Sequence, residues 1–289
     1  MDNLRGSLFM VLAMACFSIE DAFIKAAAET VPLGQIIFVF GLFGTSLFIL
    51  LTLRRGEIIF HPAILSRLTF IRSLCEIVGR LFFSISLVLI PLSSLSAILQ
   101  ATPLIVVMGA AIFFGEKVGW RRWSAILIGL IGVLMIIRPG LDGFEPASLF
   151  AVLGTLGFAG RDLATRAAPK VLSNMQLGVY GFFILMPTGI LILLFNGEIN
   201  SLVLPNSLAS LQILGTIIFG FTAYYSLTVA MRIGEVSVIT PFRYTRLIFA
   251  LIIGVTLFGE RPDTLTIVGS AIVILGGFYT LLRSRALNN

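Results

Sequence analysis

The chain has 289 residues, of which 58% are hydrophobic and only 12% charged, with a net charge of +6, one His and two Cys. Water-soluble domains carry about 25% charged residues, so this composition excludes a soluble globular protein, a disordered chain and a disulfide or Cys/His zinc framework. The basic excess is read as a topology signal rather than a nucleic-acid footprint, because basic residues beside apolar spans set orientation in a bilayer.

A helix that crosses a bilayer needs about 20 mainly apolar residues, and ten such runs follow one another. They are predicted over residues 6–27, 34–53, 69–90, 93–114, 123–137, 146–168, 175–195, 207–231, 236–258 and 264–282. Breakers separate them: Pro32, Pro62, Pro91, Pro139-Gly140, Asn196-Gly197, Pro205 and Pro262. The first run could pass for a secretory signal, with Arg5 before it and Ala26-Ala27-Ala28 at its end, but Glu20 and Asp21 inside it argue for a permanent helix. Both Cys16 and Cys75 fall within apolar runs.

With a cytoplasmic N-terminus, the inner loops and tails receive Arg5, Arg54, Arg55, Arg67, Lys117, Arg121, Arg122, Arg166, Lys170, Arg232, Arg283 and Arg285. Only Lys25, Arg138 and Arg261 fall outside. This asymmetry predicts that both termini are cytoplasmic.

The chain also repeats itself. At an offset of 141 residues, Asp21 aligns with Asp162, Lys25 with Arg166, and Ser96-Ala97-Ile98 with Ser237-Val238-Ile239. Phe114-Gly115-Glu116-Lys117 pairs with Phe258-Gly259-Glu260-Arg261 at 144. Five spans per half is an odd number, so the halves, 1–140 and 141–289, insert in opposite directions. Inverted repeats are the construction of many secondary transporters, because two mirrored bundles can expose one central site alternately to each face. Glycines at 41/44, 129/132, 154/157/160 and 269/276 are expected at close helix contacts, where small residues let helices pack and rock.

Ten spans, a five-plus-five duplication and the Gly115-Glu116 and Gly259-Glu260 pairs resemble the drug/metabolite transporter superfamily, specifically its EamA-type ten-helix permeases. Pro91-Leu92-Ser93, Thr102-Pro103-Leu104 and Ile137-Arg138-Pro139-Gly140 extend the likeness over essentially the whole chain. Thr240-Pro241-Phe242-Arg243-Tyr244 is similar to an element of branches that carry S-adenosylmethionine or riboflavin. The resemblance implies a carrier, with its cargo open among amino acids, sugars, nucleosides and drugs.

Ionisable groups at membrane depth are costly unless paired or facing a polar cavity. Five basic residues lie there, Arg72, Arg80, Arg161, Arg243 and Arg246, with four acidic ones, Glu20, Asp21, Glu76 and Asp162. Arg72, Glu76 and Arg80 form one stripe at i, i+4 and i+8, with Arg72 near enough to the interface to snorkel and Arg80 near the midplane. One reading is structural: salt bridges, such as Glu76 with Arg72 or Arg80, lock helices together. The other is functional: Arg80, Arg243 and Arg246 clasp a carboxylate or phosphate, since guanidinium forks suit planar oxyanions. Glu76, Gln100, Tyr224 and Tyr244 complete the candidate substrate site. Glu20, Asp21 and Asp162 are candidates to carry a coupling proton, with Glu20 or Asp21 favoured. Pro103 and Pro241 each leave a backbone carbonyl one turn earlier without its helical donor, available to a cavity. Phe82, Phe83, Tyr224 and Tyr225 are candidates for a stacking surface for a ring-bearing cargo, with core or lipid contact as the favoured reading. Glu116 and Glu260 read most simply as helix-end bonding groups.

The expected protein is an all-α integral membrane carrier in a bacterial inner membrane, either monomer or homodimer. It moves a small polar or anionic metabolite by alternating access, driven by protons or exchange, with no cofactor and no nucleic acid. A polytopic membrane enzyme and a lipid flippase are the rivals. His61, the single histidine, stands in a short loop without partners for catalysis or metal binding, and no Gly-rich phosphate loop is present to use ATP directly.

Overall fold

The computed structural model describes residues 2–115, 119–138, 144–167, 171–233 and 240–285. All regular structure among them is helical: α1 (Asp2–Ala27), α2 (Leu33–Arg54), α3 (Arg67–Leu89), α4 (Leu92–Leu99), α5 (Thr102–Phe114), α6 (Trp120–Ile137), α7 (Ser148–Ala167), α8 (Asn174–Phe183), α9 (Leu185–Phe195), α10 (Ser207–Ile233), α11 (Thr245–Phe258) and α12 (Thr264–Arg285), with 3-10 turns at Pro62–Leu65 and Thr240–Tyr244. Five stretches among these residues are apolar and long enough to cross a membrane: Leu4–Ala27, Leu33–Arg54, Leu92–Phe113, Asn174–Phe195 and Ser207–Ala230. The charges of α3 and α7 keep them below that standard. Large apolar side chains such as Phe43, Leu127, Leu134 and Leu257 stand exposed on the outer faces, the surface a bilayer would cover.

Among the described residues the fourth and seventh expected spans are each interrupted once, and the ninth opens as the 3-10 turn Thr240–Tyr244 before α11. The fourth breaks at Gln100-Ala101, between α4 and α5, and Pro103 is the cause. The carbonyl it leaves unpaired, Leu99 O, accepts from Thr102 Oγ1 at 2.6 Å, so that oxygen is satisfied locally and is not offered to a cavity as expected. The seventh breaks at Ile184, four residues after Tyr180 and three before Pro187, whose missing N–H prevents α8 and α9 from joining. Pro241's side chain and the 234–239 segment, including Ser237-Val238-Ile239, lie outside the described residues. So do Glu116, Lys117, Pro139, Gly140, Lys170 and the Arg166 side chain.

Packing pairs helices from the two halves: α1 with α10, α3 with α7, α2 with α8 and α9, α6 with α12, α1 with α11, α5 with α7 and α4 with α11. Glycine makes the closest of these approaches possible. A Cβ at Gly132 would stand 2.7 Å from Gly269 O, and one at Gly269 would stand 2.6 Å from Gly132 O. In the α3–α7 contact a Cβ at Gly157 would collide with the Gly79 amide. Gly157→Val is therefore expected to lower stability by about 1–3 kcal/mol, read as a fall in melting temperature in detergent, because backbones rather than movable side chains oppose the new methyls.

Loop contacts segregate to two ends. At one end Gln35 bonds Val203 in both directions, Lys25 donates to Leu87 O and Ile90 O, Glu260 accepts from Leu92 and Ser93, and Arg138 pairs with Asp263. Asp263 also accepts from Thr266 N at 2.9 Å, at the start of α12; that bond, then the Arg138 partner, hold its carboxyl below the usual carboxylate range. At the other end Gln176 Nε2 donates to Ile58 O, Ser173 bonds Glu57, and Tyr180 bonds Ile59 O. His61 caps the 3-10 turn there, its Nδ1 accepting from Ala63 N at 3.1 Å, a local structural role.

Candidate functional site

An apolar helix that carries adjacent acids must bury them against cations, and α1 does this. Glu20 and Asp21 are 0% and 1% exposed. Arg80 of α3 donates to Glu20 Oε1 at 3.3 Å, while Arg246 of α11 donates to Asp21 Oδ2 at 2.6 Å. On α7, Arg161 donates through Nε to Asp162 Oδ1 at 3.0 Å and through Nη1 to Glu76 Oε1 at 3.2 Å. Arg243 Nη1 approaches Asp162 Oδ2 at 3.7 Å. Arg243 is also within electrostatic reach of Arg246, and Arg246 of Glu20, so the pairs form one continuous network.

Aromatic rings wall the network. Arg80 lies 6.0 Å from the Phe40 centroid, Arg161 4.9 Å from Phe158, and Arg246 5.1 Å from Phe17 and 5.5 Å from Phe83. Ring faces favour a desolvated cation, which offsets part of the burial cost. Access is uneven: side chains of Glu20 and Asp21 are 1% exposed, but Asp162 and Arg243 are 24% exposed. Glu20 Oε2, Asp21 Oδ1 and the Nε atoms of Arg80 and Arg246 have no hydrogen-bond partner among the described residues.

The structure brings together Arg80, Arg243, Arg246, Glu76, Glu20, Asp21 and Asp162. Gln100 plays a supporting part, its Nε2 donating to Arg243 O at 3.4 Å, and Tyr244 is packed at 2% exposure. Tyr224 borders the network, within electrostatic reach of Arg72, Glu76 and Arg161, and its hydroxyl donates to Leu177 O at 3.0 Å. Two expectations are corrected. Glu76 pairs with Arg161 across the α3–α7 contact rather than with Arg72 or Arg80 on its own helix, because the small residues at 79 and 157 bring the two backbones together. Arg72 is 7% exposed, buried rather than snorkelling. The four aromatics pack against other rings: Phe82 stacks on Phe150, Phe83 packs on Phe158, Tyr224 packs among Phe48 and Phe182, and Tyr225 stacks on Phe221, which itself meets Phe48.

Arg161 is the network member that sequence reasoning left out of the site. The signal was present, since the 141-residue offset places it opposite Glu20.

The EamA-like transporter family matches the chain twice, over residues 4–138 and 146–282, and the chain belongs to that family. It is thus a multi-pass membrane protein of a transporter family rather than an enzyme. It is similar to the pseudopaline exporter CntI of Pseudomonas aeruginosa, 26% identical over 274 residues that cover 93% of each chain. It is also similar to the riboflavin transporter of Vibrio cholerae, 28% identical over 180 residues, 62% of this chain and 59% of the relative. The S-adenosylmethionine uptake transporter of Rickettsia bellii is 25% identical over 206 residues, 71% of this chain and 68% of the relative. A crystal structure at 19% identity superposes with a TM-score of 0.64 over 98% of this chain and 99% of the other, a likeness of fold alone.

Proposed function

We propose that this protein is an inner-membrane carrier with both termini cytoplasmic, moving a small polar or anionic organic metabolite by alternating access between inverted five-helix repeats, 1–140 and 141–289. Packing supports the repeat: exchanging spans one to five with six to ten maps α1–α10 onto α7–α3 and α1–α11 onto α7–α5, and maps α2–α8/α9 and α6–α12 onto themselves. The caps agree as well. Gly115 ends α5 at φ 65° and ψ 23°, Gly259 ends α11 at φ 61° and ψ 22°, and each donates its N–H to the carbonyl five residues back. Loops that alternate between the two ends fit ten crossings.

One observation carries the mechanism. Each arginine expected to bind cargo is held by an acid expected to carry the coupling proton: Arg80 by Glu20, Arg246 by Asp21 and Arg243 by Asp162. Acid and cargo anion therefore compete for one guanidinium. Protonating the acid frees the arginine, so a proton and an anion bind together; when both leave, the acid re-pairs and the empty carrier can reorient without an isolated charge in lipid. This coupling is symport, and acid pH favours cargo binding.

The relatives' names give a pseudopaline exporter, a riboflavin transporter and an S-adenosylmethionine uptake transporter, so cargo identity is an experimental question. A thermal-shift screen against amino acids, nucleosides, flavins and S-adenosylmethionine tests the reading, because a bound ligand raises the melting temperature by mass action. Stabilisation by an anionic metabolite, greater at pH 6 than at pH 8, is the expected result; stabilisation that grows with rising pH would reverse the proposed coupling.

A further inference from the structure

The Gly-Glu pair that closes the ninth span is not used by the charge network, and its surroundings are specific. Glu260 turns back from the left-handed Gly259 cap and lays its carboxylate on the first turn of α4. It accepts from Leu92 N at 2.5 Å, Ser93 N at 3.0 Å and Ser93 Oγ at 2.7 Å. Gly254 gives it room, since a Cβ there would collide with Oε2. On the other side of the same turn, Lys25 at the end of α1 donates to Leu87 O at 3.1 Å and Ile90 O at 2.5 Å, the unpaired carbonyls at the end of α3. Its ammonium lies 5.6 Å from the Phe258 ring centroid and within electrostatic reach of Glu260.

The α3–α4 turn is therefore gripped at both helix ends by opposite charges that suit the two helix dipoles. Glu260 belongs to the second half of the chain, whereas Lys25 and the turn belong to the first. Separating α11 from α4 at this end requires withdrawing a carboxylate from three donors at once.

We propose that Glu260 and Lys25 form the extracytoplasmic latch of the carrier, closed in this conformation and broken whenever the central network is exposed to the outside. This rests on the alternating-access reading. The latch is polar and local, so neutralising it shifts the balance of states without touching the arginines that face cargo.

The test is a distance measurement between spin labels on Leu89→Cys and Leu257→Cys, 54% and 72% exposed at the ends of α3 and α11, with Cys16 and Cys75 replaced by serine. The parent protein is expected to give one short, narrow distance. Glu260→Gln and Lys25→Met should each add a longer population, raising its share at least several-fold. Gly254→Ala keeps both charges but displaces the carboxylate, and should do the same if Glu260→Gln fails to fold. Identical single distances in the parent, Lys25→Met and Gly254→Ala would overturn the latch. If the longer population appears yet none of the amino acids, nucleosides, flavins or S-adenosylmethionine crosses vesicles with the purified protein, Glu260 and Lys25 stand as a conformational clasp, and their role as a carrier gate falls with the carrier reading. If transport proceeds with the distances unchanged, the carrier reading stands and the latch falls.

Discussion

Arg243→Ala is expected to abolish transport in reconstituted vesicles, by at least about 100-fold, while leaving the melting temperature close to the parent value. The rate loss corresponds to removing one charge-assisted contact from a water-poor site, about 2–3 kcal/mol. The fold survives because Asp162 keeps its second partner: Arg161 still donates to Oδ1 at 3.0 Å after Arg243 is gone. Arg243 is also the most accessible of the three candidate arginines, at 24% against 14% for Arg80 and Arg246. Normal transport by Arg243→Ala would remove it from the site.

Arg246→Ala is expected to behave differently. Asp21 would be left with no cation bonded to it in a setting where its side chain is 1% exposed. Breaking a buried pair from one side costs about 3–5 kcal/mol, so the single variant should express poorly or melt early. Neutralising both partners, Asp21→Asn with Arg246→Gln, removes the isolated charge and should recover most of the lost stability. Transport should stay absent, because the double variant restores packing but not the guanidinium. A double variant that regains stability and transport together would make this pair a purely structural bridge. The same comparison applies to Arg80 with Glu20, joined at 3.3 Å.

The sequence made the helical character and the membership of the charged network readable, because charged side chains are conspicuous inside apolar runs and cost too much in lipid to be incidental. Partner choice was not readable in the same way. Glu76 has arginines one turn away on either side, yet it binds Arg161, 85 residues distant, because the Gly79–Gly157 approach sets α7 closer than helical spacing along α3 suggests. The fate of the Pro103 carbonyl likewise depended on one rotamer, that of Thr102. Pro187 was available as a marker of the α8–α9 interruption, and Ser173 with Gln176 forms a capping box that the S-x-x-Q spacing encodes. For the aromatic residues, spacing within helices does not say which neighbour they meet, so the ring partners were not readable. For Glu260 the helix-end reading agrees with its position on α4, and the structure adds that the bonded helix lies in the opposite half of the chain.

The partner exchange between acid, arginine and cargo is tested most directly by titrating the purified carrier with a metabolite found in the thermal-shift screen, by calorimetry in two buffers of different ionisation enthalpy. Uptake of close to one proton per bound anion is the predicted result. Tight anion binding with the same heat in both buffers would show that the arginines receive cargo with no proton entering the network, and would contradict the account.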